Sequence, residues 1–221
     1  MSEQNRVIEE DKANSIKIIL VGDSGTGKTN LITVSAGMEF NSNSLTTTSC
    51  SYVQKIINKE GKEYKVNLWD TIGQEKYRSL TKIFLKDSKI VIFVYDITNR
   101  ETFESLAFWK KIIDEVLGNG PIFGVIGNKM DLYYDEKVKD EEGEEYANKI
   151  GAKFLLTSAK NDPKGFNTFI EQILDEYLNK SGDDNERIES IVINRIPKKK
   201  SKCCWYFELG IYYKYFYFII I

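Results

Sequence analysis

The stretch IKIILVGDSGTGKT, Ile16 to Thr29, decides how the rest of the chain is read. Its opening, Ile16 to Val21, is a short apolar run broken only by Lys17. Such runs fit strands covered on both faces. GDSGTGKT, Gly22 to Thr29, follows with the pattern G-x-x-x-x-G-K-[ST], after a predicted strand and before a predicted helix. That is the context the motif requires. Gly22 and Gly27 let the backbone curl around an anion. The intervening Asp23, Ser24, Gly25 and Thr26 complete the loop, and N–H groups from about Ser24 to Thr29 would point at phosphate oxygens. Lys28 would reach the terminal phosphates, and the Thr29 hydroxyl suits a Mg²⁺ position. The competing reading is a chance match in a glycine-bearing turn. A random chain of this length would show the pattern on the order of once in a hundred, and the strand–helix context lowers that figure.

Outward from this loop, apolar runs alternate with amphipathic segments. Ile90–Tyr95 (IVIFVY), Ile122–Ile126 (IFGVI) and Phe154–Leu156 are further buried-strand candidates. Between Thr102 and Leu117, Phe103, Leu106, Trp109, Ile113 and Val116 recur at helical spacing. Glu142, Glu144 and Glu145 open a segment to Ile150, where acidic residues suit a helix N-terminus. Phe166, Phe169, Ile170, Ile173, Leu174, Tyr177 and Leu178 form a helical stripe that reads as a core face. Ser51 to Trp69 differs: two strand-like runs flank Lys59-Glu60-Gly61, which predicts an antiparallel hairpin at a sheet edge. The expected fold is the α/β class of P-loop NTPases. It has a mostly parallel six-stranded sheet, one antiparallel edge strand and helices on both faces. Residues 1–14 read as a flexible extension, 15–180 as the folded domain and 181–202 as a flexible linker, basic at its end. Residues 203–221 hold a cysteine pair and an aromatic tail.

Composition narrows the function. The chain has 221 residues, 42% of them hydrophobic and 29% charged, enough for one domain with a real core. A net charge of −2 gives no global pull toward nucleic acid. Its 3 cysteines are Cys50, Cys203 and Cys204, which make no disulfide framework and point to a reducing compartment. The polar, acidic start carries no secretory or mitochondrial targeting pattern. Histidine is absent from the chain, which excludes a histidine base and any histidine-ligated metal.

A phosphate loop of this kind can serve a kinase, an ATPase or a GTPase. Asn128-Lys129-Met130-Asp131 follows a predicted buried strand. An aspartate there accepts two hydrogen bonds from the N1 and 2-amino donors of guanine, a pair adenine does not offer. The bland alternative is an Asx turn in a loop. Ser158-Ala159-Lys160 lies after the last apolar run, where a backbone N–H could meet the guanine oxygen. Trp69-Asp70-Thr71-Ile72-Gly73-Gln74-Glu75 ends another strand. Asp70 can hold Mg²⁺ through water, the Gly73 N–H can meet a γ-phosphate, and Gln74 can orient an attacking water. A kinase is disfavoured by the NKMD run and by the lack of any evident arginine-rich lid.

In order and spacing these motifs resemble the Ras superfamily of small GTPases over roughly Ser15 to Lys180. GDSGTGKT, LWDTIGQEKYRSL, VYDITN, GNKMD and the terminal cysteine pair are similar to its Rab branch. The resemblance implies a GTP/GDP switch with Mg²⁺, in which Lys28 and Gln74 are catalytic and hydrolysis is slow without an activating protein. It implies a switch threonine that binds Mg²⁺ in the GTP state. The count reaches Thr47, with Thr46 and Thr48 as register alternatives. It places Phe40 against the guanine edge, and Tyr52, Trp69 and Phe84 as an aromatic triad presented to effectors; ordinary packing under the switches is the other reading of that triad. It further implies an exchange factor, a GTPase-activating protein, a GDP dissociation inhibitor, prenylation machinery and GTP-state effectors. The implied location is the cytoplasmic face of intracellular membranes, with a cytosolic pool, in vesicle traffic.

The end of the chain needs its own account. Lys198 to Lys200, Ser201 and Lys202 lead into Cys203-Cys204, which fits double prenylation of a polybasic terminus. Trp205 to Ile221 is shorter than the about 20 residues of a usual membrane span, and it carries Glu208 and Lys214. Its tyrosines suit an interface better than a bilayer centre. Trp205-Tyr206 is necessarily encoded TGGTAY, which contains the intron-donor sequence GTAY. The expectation is that the mature chain ends at or near Cys204.

Two stretches depart from the family pattern. Thr48-Ser49 stands where an Ile-Gly pair is usual, and Ile72 stands where alanine is usual. A β-branched side chain beside Gly73 hinders the rearrangement that brings its N–H to the γ-phosphate. The alternative to a hydrolysing switch is therefore a nucleotide-locked scaffold. Ile72→Ala is expected to change hydrolysis or exchange by roughly one order of magnitude, about 1.4 kcal/mol. Equal single-turnover rates in the two proteins would refute this.

Overall fold

The structure, a computed structural model, describes residues 15–41, 47, 51–71 and 83–195, with backbone alone for Ser51 and for 182–195. The elements follow in the order β1 (Ser15–Val21), α1 (Lys28–Ser35), β2 (Ser51–Lys59), β3 (Lys62–Asp70), β4 (Ile90–Asp96), α2 (Arg100–Glu104), α3 (Leu106–Leu117), β5 (Ile122–Asn128), a 3₁₀ turn (Met130–Asp135), α4 (Asp140–Lys149), β6 (Ala152–Leu156) and α5 (Pro163–Arg195). The strands form one 6-stranded sheet in the order β2-β3-β1-β4-β5-β6. Only the β2–β3 pair is antiparallel. This is the expected architecture.

The continuous apolar runs are explained by burial on both faces. Along β4, Ile90, Ile92 and Val94 point into one apolar cluster and Val91, Phe93 and Tyr95 into the other, as the two-residue strand period requires. The first cluster receives Leu31 and Ile32 of α1 and Phe166, Phe169, Ile170, Ile173 and Leu174 of α5. Leu106, Trp109, Ile112 and Ile113 of α3 and Ala147 of α4 fill the second. Each fully buried aliphatic or aromatic side chain contributes roughly 1.5–3 kcal/mol relative to exposure.

The hairpin joins at Glu60 and Gly61, with φ of 50° and 78°. Positive φ at both turn residues matches the twist of the flanking strands. The pairing sets Tyr52 opposite Trp69 and Ser51 opposite Asp70. β1 lies between β3 and β4, so the connections leave it in opposite directions. The crevice at the carboxyl end of such a strand is where ligands bind in open α/β sheets. The loop Gly22–Gly27 leaves β1 at that point.

Three helix boundaries differ from the sequence reading. The helical segment expected from Thr102 starts at Arg100, because the Asn99 side chain caps it by accepting from the Glu101 N–H, and it is interrupted at Ser105. α4 starts at Asp140, so its first-turn acids are Asp140, Glu141 and Glu142. α5 runs past Lys180 to Arg195. Residues such as Glu186, Arg187 and Glu189 have good helix propensity, which offsets the cost of about 1 kcal/mol for Gly182. By its internal contacts the chain divides into two units, Met1–Gly182 and Asp183–Ile221. The second is described only as helical backbone to Arg195.

Gly124 of β5 shows how closely α5 approaches the sheet. A Cβ there would lie 2.9 Å from Ile173 Cδ1 and 3.0 Å from Phe169 Cε1 and Cζ. Gly124→Ala is expected to destabilise the protein by about 1–3 kcal/mol through overpacking. Phe169→Leu removes the obstructing ring atoms, so the double variant should lose less than the sum of the two singles. Urea unfolding midpoints of the four proteins check this.

Candidate functional site

The phosphate loop is built around a buried cation. Lys28, at the first turn of α1, is 5% exposed. Its Nζ donates to the Gly22 and Asp23 carbonyls, both at 2.8 Å, and lies 3.5 Å from Thr26 Oγ1. Burial pushes its pKa down to about 8, against the opposing pull of Asp70 and Asp23. The loop's curvature depends on two glycines. Gly22 has φ 144°, and a Cβ there would sit 2.1 Å from the Val94 carbonyl oxygen. Gly27 has φ 92°, and its Cβ would sit 2.3 Å from Asn128 Nδ2. Both positions exclude a side chain by backbone angle and by space.

Three oxygen groups converge beside Lys28. The Thr29 hydroxyl donates to Asp70 Oδ2 at 2.7 Å and lies 2.7 Å from the Thr47 hydroxyl. Thr47 in turn lies 3.4 Å from Asp70 Oδ2. The Asp70 pKa is raised by burial, opposed by the Thr29 hydrogen bond and the Lys28 charge. Asp70 Oδ1 is buried with no hydrogen-bond partner among the described residues. An oxygen-only donor set with an unpartnered buried carboxylate oxygen fits a hard cation such as Mg²⁺. Thr46 and Thr48, the register alternatives to Thr47, lie outside the described residues.

At the other end of the crevice, Asn128 is 1% exposed and uses both ends of its amide. Nδ2 donates to the Thr26 carbonyl at 2.8 Å and Oδ1 accepts from the Ala159 N–H at 3.1 Å. The side chain thus ties the phosphate loop to the Ser158–Lys160 loop. The Ser158 hydroxyl donates to Asp131 Oδ1 at 2.5 Å and accepts from the Lys160 and Asn161 N–H groups at 3.2 and 3.1 Å. Lys129, with φ 70°, extends its ammonium to Asp96 Oδ2 at 2.6 Å. Phe40 is half-buried and packs against the first apolar cluster.

Tyr52, Trp69 and Phe84 also come together. Tyr52 stacks on Trp69 with centroids 5.1 Å apart, and Trp69 lies 6.3 Å from Phe84. The Lys17 ammonium sits 4.3 Å over the Trp69 ring and donates to the Phe84 carbonyl at 2.6 Å. Tyr52 is 55% exposed, whereas Trp69 and Phe84 are partly buried against the second cluster. Gly73 and Gln74, with Ile72, lie outside the described residues, as do Cys203 and Cys204. Among the described residues, no helix is long and apolar enough to cross a membrane.

The Ras family model matches residues 17–179. The chain belongs to the Ras family. Among its relatives, "Ras-related protein Rab-21" of Canis lupus familiaris is 38% identical over 151 residues, 68% of either chain. "Ras-related protein RABA2b" of Arabidopsis thaliana is 37% identical over 160 residues, 71% of this chain and 75% of the relative. "Ras-related protein Rab-8" of Diplobatis ommata is 34% identical over 187 residues, 83% of this chain and 89% of the relative. The protein is accordingly a Rab-like small GTPase of the Ras superfamily. GTP binding and GTPase activity, with Mg²⁺, are properties of that family in general.

Three residues that sequence reasoning passed over help to shape the site of this Rab-like GTPase. Asp96 anchors Lys129; its signal was a carboxylate at the carboxyl end of a buried parallel strand. The Thr71 hydroxyl donates to the Leu20 carbonyl at 2.7 Å, joining the end of β3 to β1. The Trp109 indole reaches Asp23, and its spacing showed only a core position. Asn128→Ala would leave the Thr26 carbonyl and the Ala159 N–H without their partner. The expected cost is about 1–3 kcal/mol in stability, together with guanine-nucleotide dissociation faster by about tenfold or more. Unfolding midpoints and release of a fluorescent GDP analogue check both effects.

Proposed function

We propose that the protein is a guanine-nucleotide-dependent switch that binds GTP, hydrolyses it to GDP and regulates vesicle and membrane traffic. The observation that carries this reading is the meeting of Thr47 with Thr29 and Asp70. It joins Thr47, which lies between α1 and β2 in the sequence, to the phosphate loop and to the end of β3. GTP-state contacts order such segments and hydrolysis releases them.

In this reading the N–H groups from about Ser24 to Thr29 cradle the phosphates and Lys28 binds their terminal oxygens. A phosphate supplies the counter-charge that a buried ammonium needs, so charge on the transferring group is stabilised where it develops. Thr29 and Thr47, with Asp70 through water, would hold Mg²⁺. When bound, the ion neutralises phosphate charge. The Gly73 N–H meets the γ-phosphate and Gln74 orients the attacking water. Asp131 reads guanine, Lys129 and Phe40 flank the base, and Asn128, Ser158, Ala159 and Lys160 set the loops around it. In this reading hydrolysis is slow until an activating protein supplies an arginine for the transition-state charge.

Tyr52, Trp69 and Phe84 form the surface for GTP-state effectors. An exchange factor, a GDP dissociation inhibitor and prenylation machinery complete the cycle. Lipidated Cys203 and Cys204 anchor the protein to the cytoplasmic face of intracellular membranes, with a cytosolic pool. The relatives give no support to the scaffold reading. The purified protein is expected to carry guanine nucleotide and to release phosphate slowly from GTP. Gln74→Leu should be slower by at least about tenfold, or about 1.4 kcal/mol. Bound adenine nucleotide, or no phosphate release over hours, would overturn the proposal. Serine at Cys203 and Cys204 should move a tagged protein from membranes to the soluble fraction.

A further inference from the structure

Trp109 lies on α3 and is fully buried. An indole N–H is a donor only, and when buried it needs an acceptor. Packing alone asks only for a large apolar side chain, so the nitrogen is the informative atom. It donates to Asp23 Oδ1 at 2.9 Å. Asp23 belongs to the phosphate loop, and its own main-chain carbonyl accepts from Lys28 Nζ at 2.8 Å and from Thr26 Oγ1 at 3.0 Å. One residue is therefore held by its side chain to α3 and by its backbone to the loop's buried cation. With the carboxylate held, residue 23 has little freedom to turn its carbonyl away from Lys28.

We infer that Trp109 is a positioning residue of the phosphate loop, acting through Asp23 on Lys28. This rests on reading Gly22–Thr29 as the nucleotide's phosphate site. A hydrogen bond from a neutral donor to a carboxylate is stronger than one between neutral groups, and this one is part-buried. The contact spans 86 positions of sequence and links a helix outside the site to the loop within it.

The test uses the full chain with Mg²⁺ and a fluorescent GDP analogue, chased with excess unlabelled GDP. Trp109→Phe and Asp23→Ala are each expected to release the analogue about tenfold faster, the size of one lost charge-assisted hydrogen bond. The double variant should be no faster than the faster single, because both remove the same contact. Single-turnover hydrolysis of bound GTP should slow in Trp109→Phe, through the displaced Lys28. Ile113→Val, a loss of buried volume in the same helix, should lower the unfolding midpoint and leave release within about twofold of wild type.

If Trp109→Phe folds poorly, the intact indole gives a second measurement. Its N–H should exchange with solvent about tenfold faster in Asp23→Ala. Release from Trp109→Phe matching that of Ile113→Val, multiplying effects in the double variant, or unchanged indole exchange would each overturn the inference. A wild type that retains no guanine nucleotide would overturn the reading of the loop, and this inference with it. A wild type that retains nucleotide while Trp109→Phe behaves identically overturns the inference alone.

Discussion

An ammonium removed from water must be surrounded by oxygen, and Lys28 is the place where this protein meets that requirement. Its position at the first turn of α1 leaves it 5% exposed, and an ion buried without compensation would cost several kcal/mol. The nearest oxygens are those of its own loop, the carbonyls of Gly22 and Asp23. A loop that points carbonyls inward at a cation from one side can present N–H groups to an anion on the other. The turn between β1 and α1 is therefore shaped by charge before any question of catalysis arises.

The rest of the crevice keeps that turn from relaxing. Gly22 lies against the β4 backbone at Val94 and Gly27 against Asn128, so the loop is pressed onto the sheet at both ends. Asn128 then bonds the Thr26 carbonyl and, with its other end, the Ala159 N–H. Trp109 holds Asp23 from the opposite face. These contacts come from β4, β5, α3 and the loop after β6, all reaching the carboxyl ends of the central strands. The parallel sheet matters functionally because it delivers these partners to one edge.

What the sequence disclosed and what it withheld follow the same physics. Strands buried on both faces must be apolar throughout, so β1, β4 and β5 were legible as runs. The edge hairpin was legible because Glu60-Gly61 interrupts two strand-like segments. The phosphate loop was legible because so tightly curled a backbone restricts residue type at Gly22 and Gly27. Hydrogen-bond partners distant in sequence were not. Asn128 was read as a nucleotide contact, and in the fold both its amide atoms go to backbone groups. Trp109 sat on a stripe whose spacing reads equally well as packing, and only the fold reveals which acceptor its nitrogen finds. The start of α2 was missed although Asn99 is a common N-cap residue. The end of α5 was missed because a polar helix lacks the apolar stripe that marks one.

The strand β3 carries a further consequence. Successive residues of a strand point to opposite faces. Asp70 turns to Thr29 and Thr47, while Trp69 turns to the other face of the sheet, where it stacks on Tyr52 and packs against the second cluster. Tyr52 lies on β2, the strand that follows Thr47, and it is paired in register with Trp69. On the proposed reading, the residue that senses the cation and the residue that meets a partner are neighbours on one strand. Their pairing partners are neighbours on the next. On that reading a change at Thr47 would reach the aromatic surface through this hairpin, where Lys17 lies over the Trp69 ring and bonds the Phe84 carbonyl. The antiparallel edge strand, the one exception in a parallel sheet, is what places Tyr52 next to Trp69 and so gives the site an outward face.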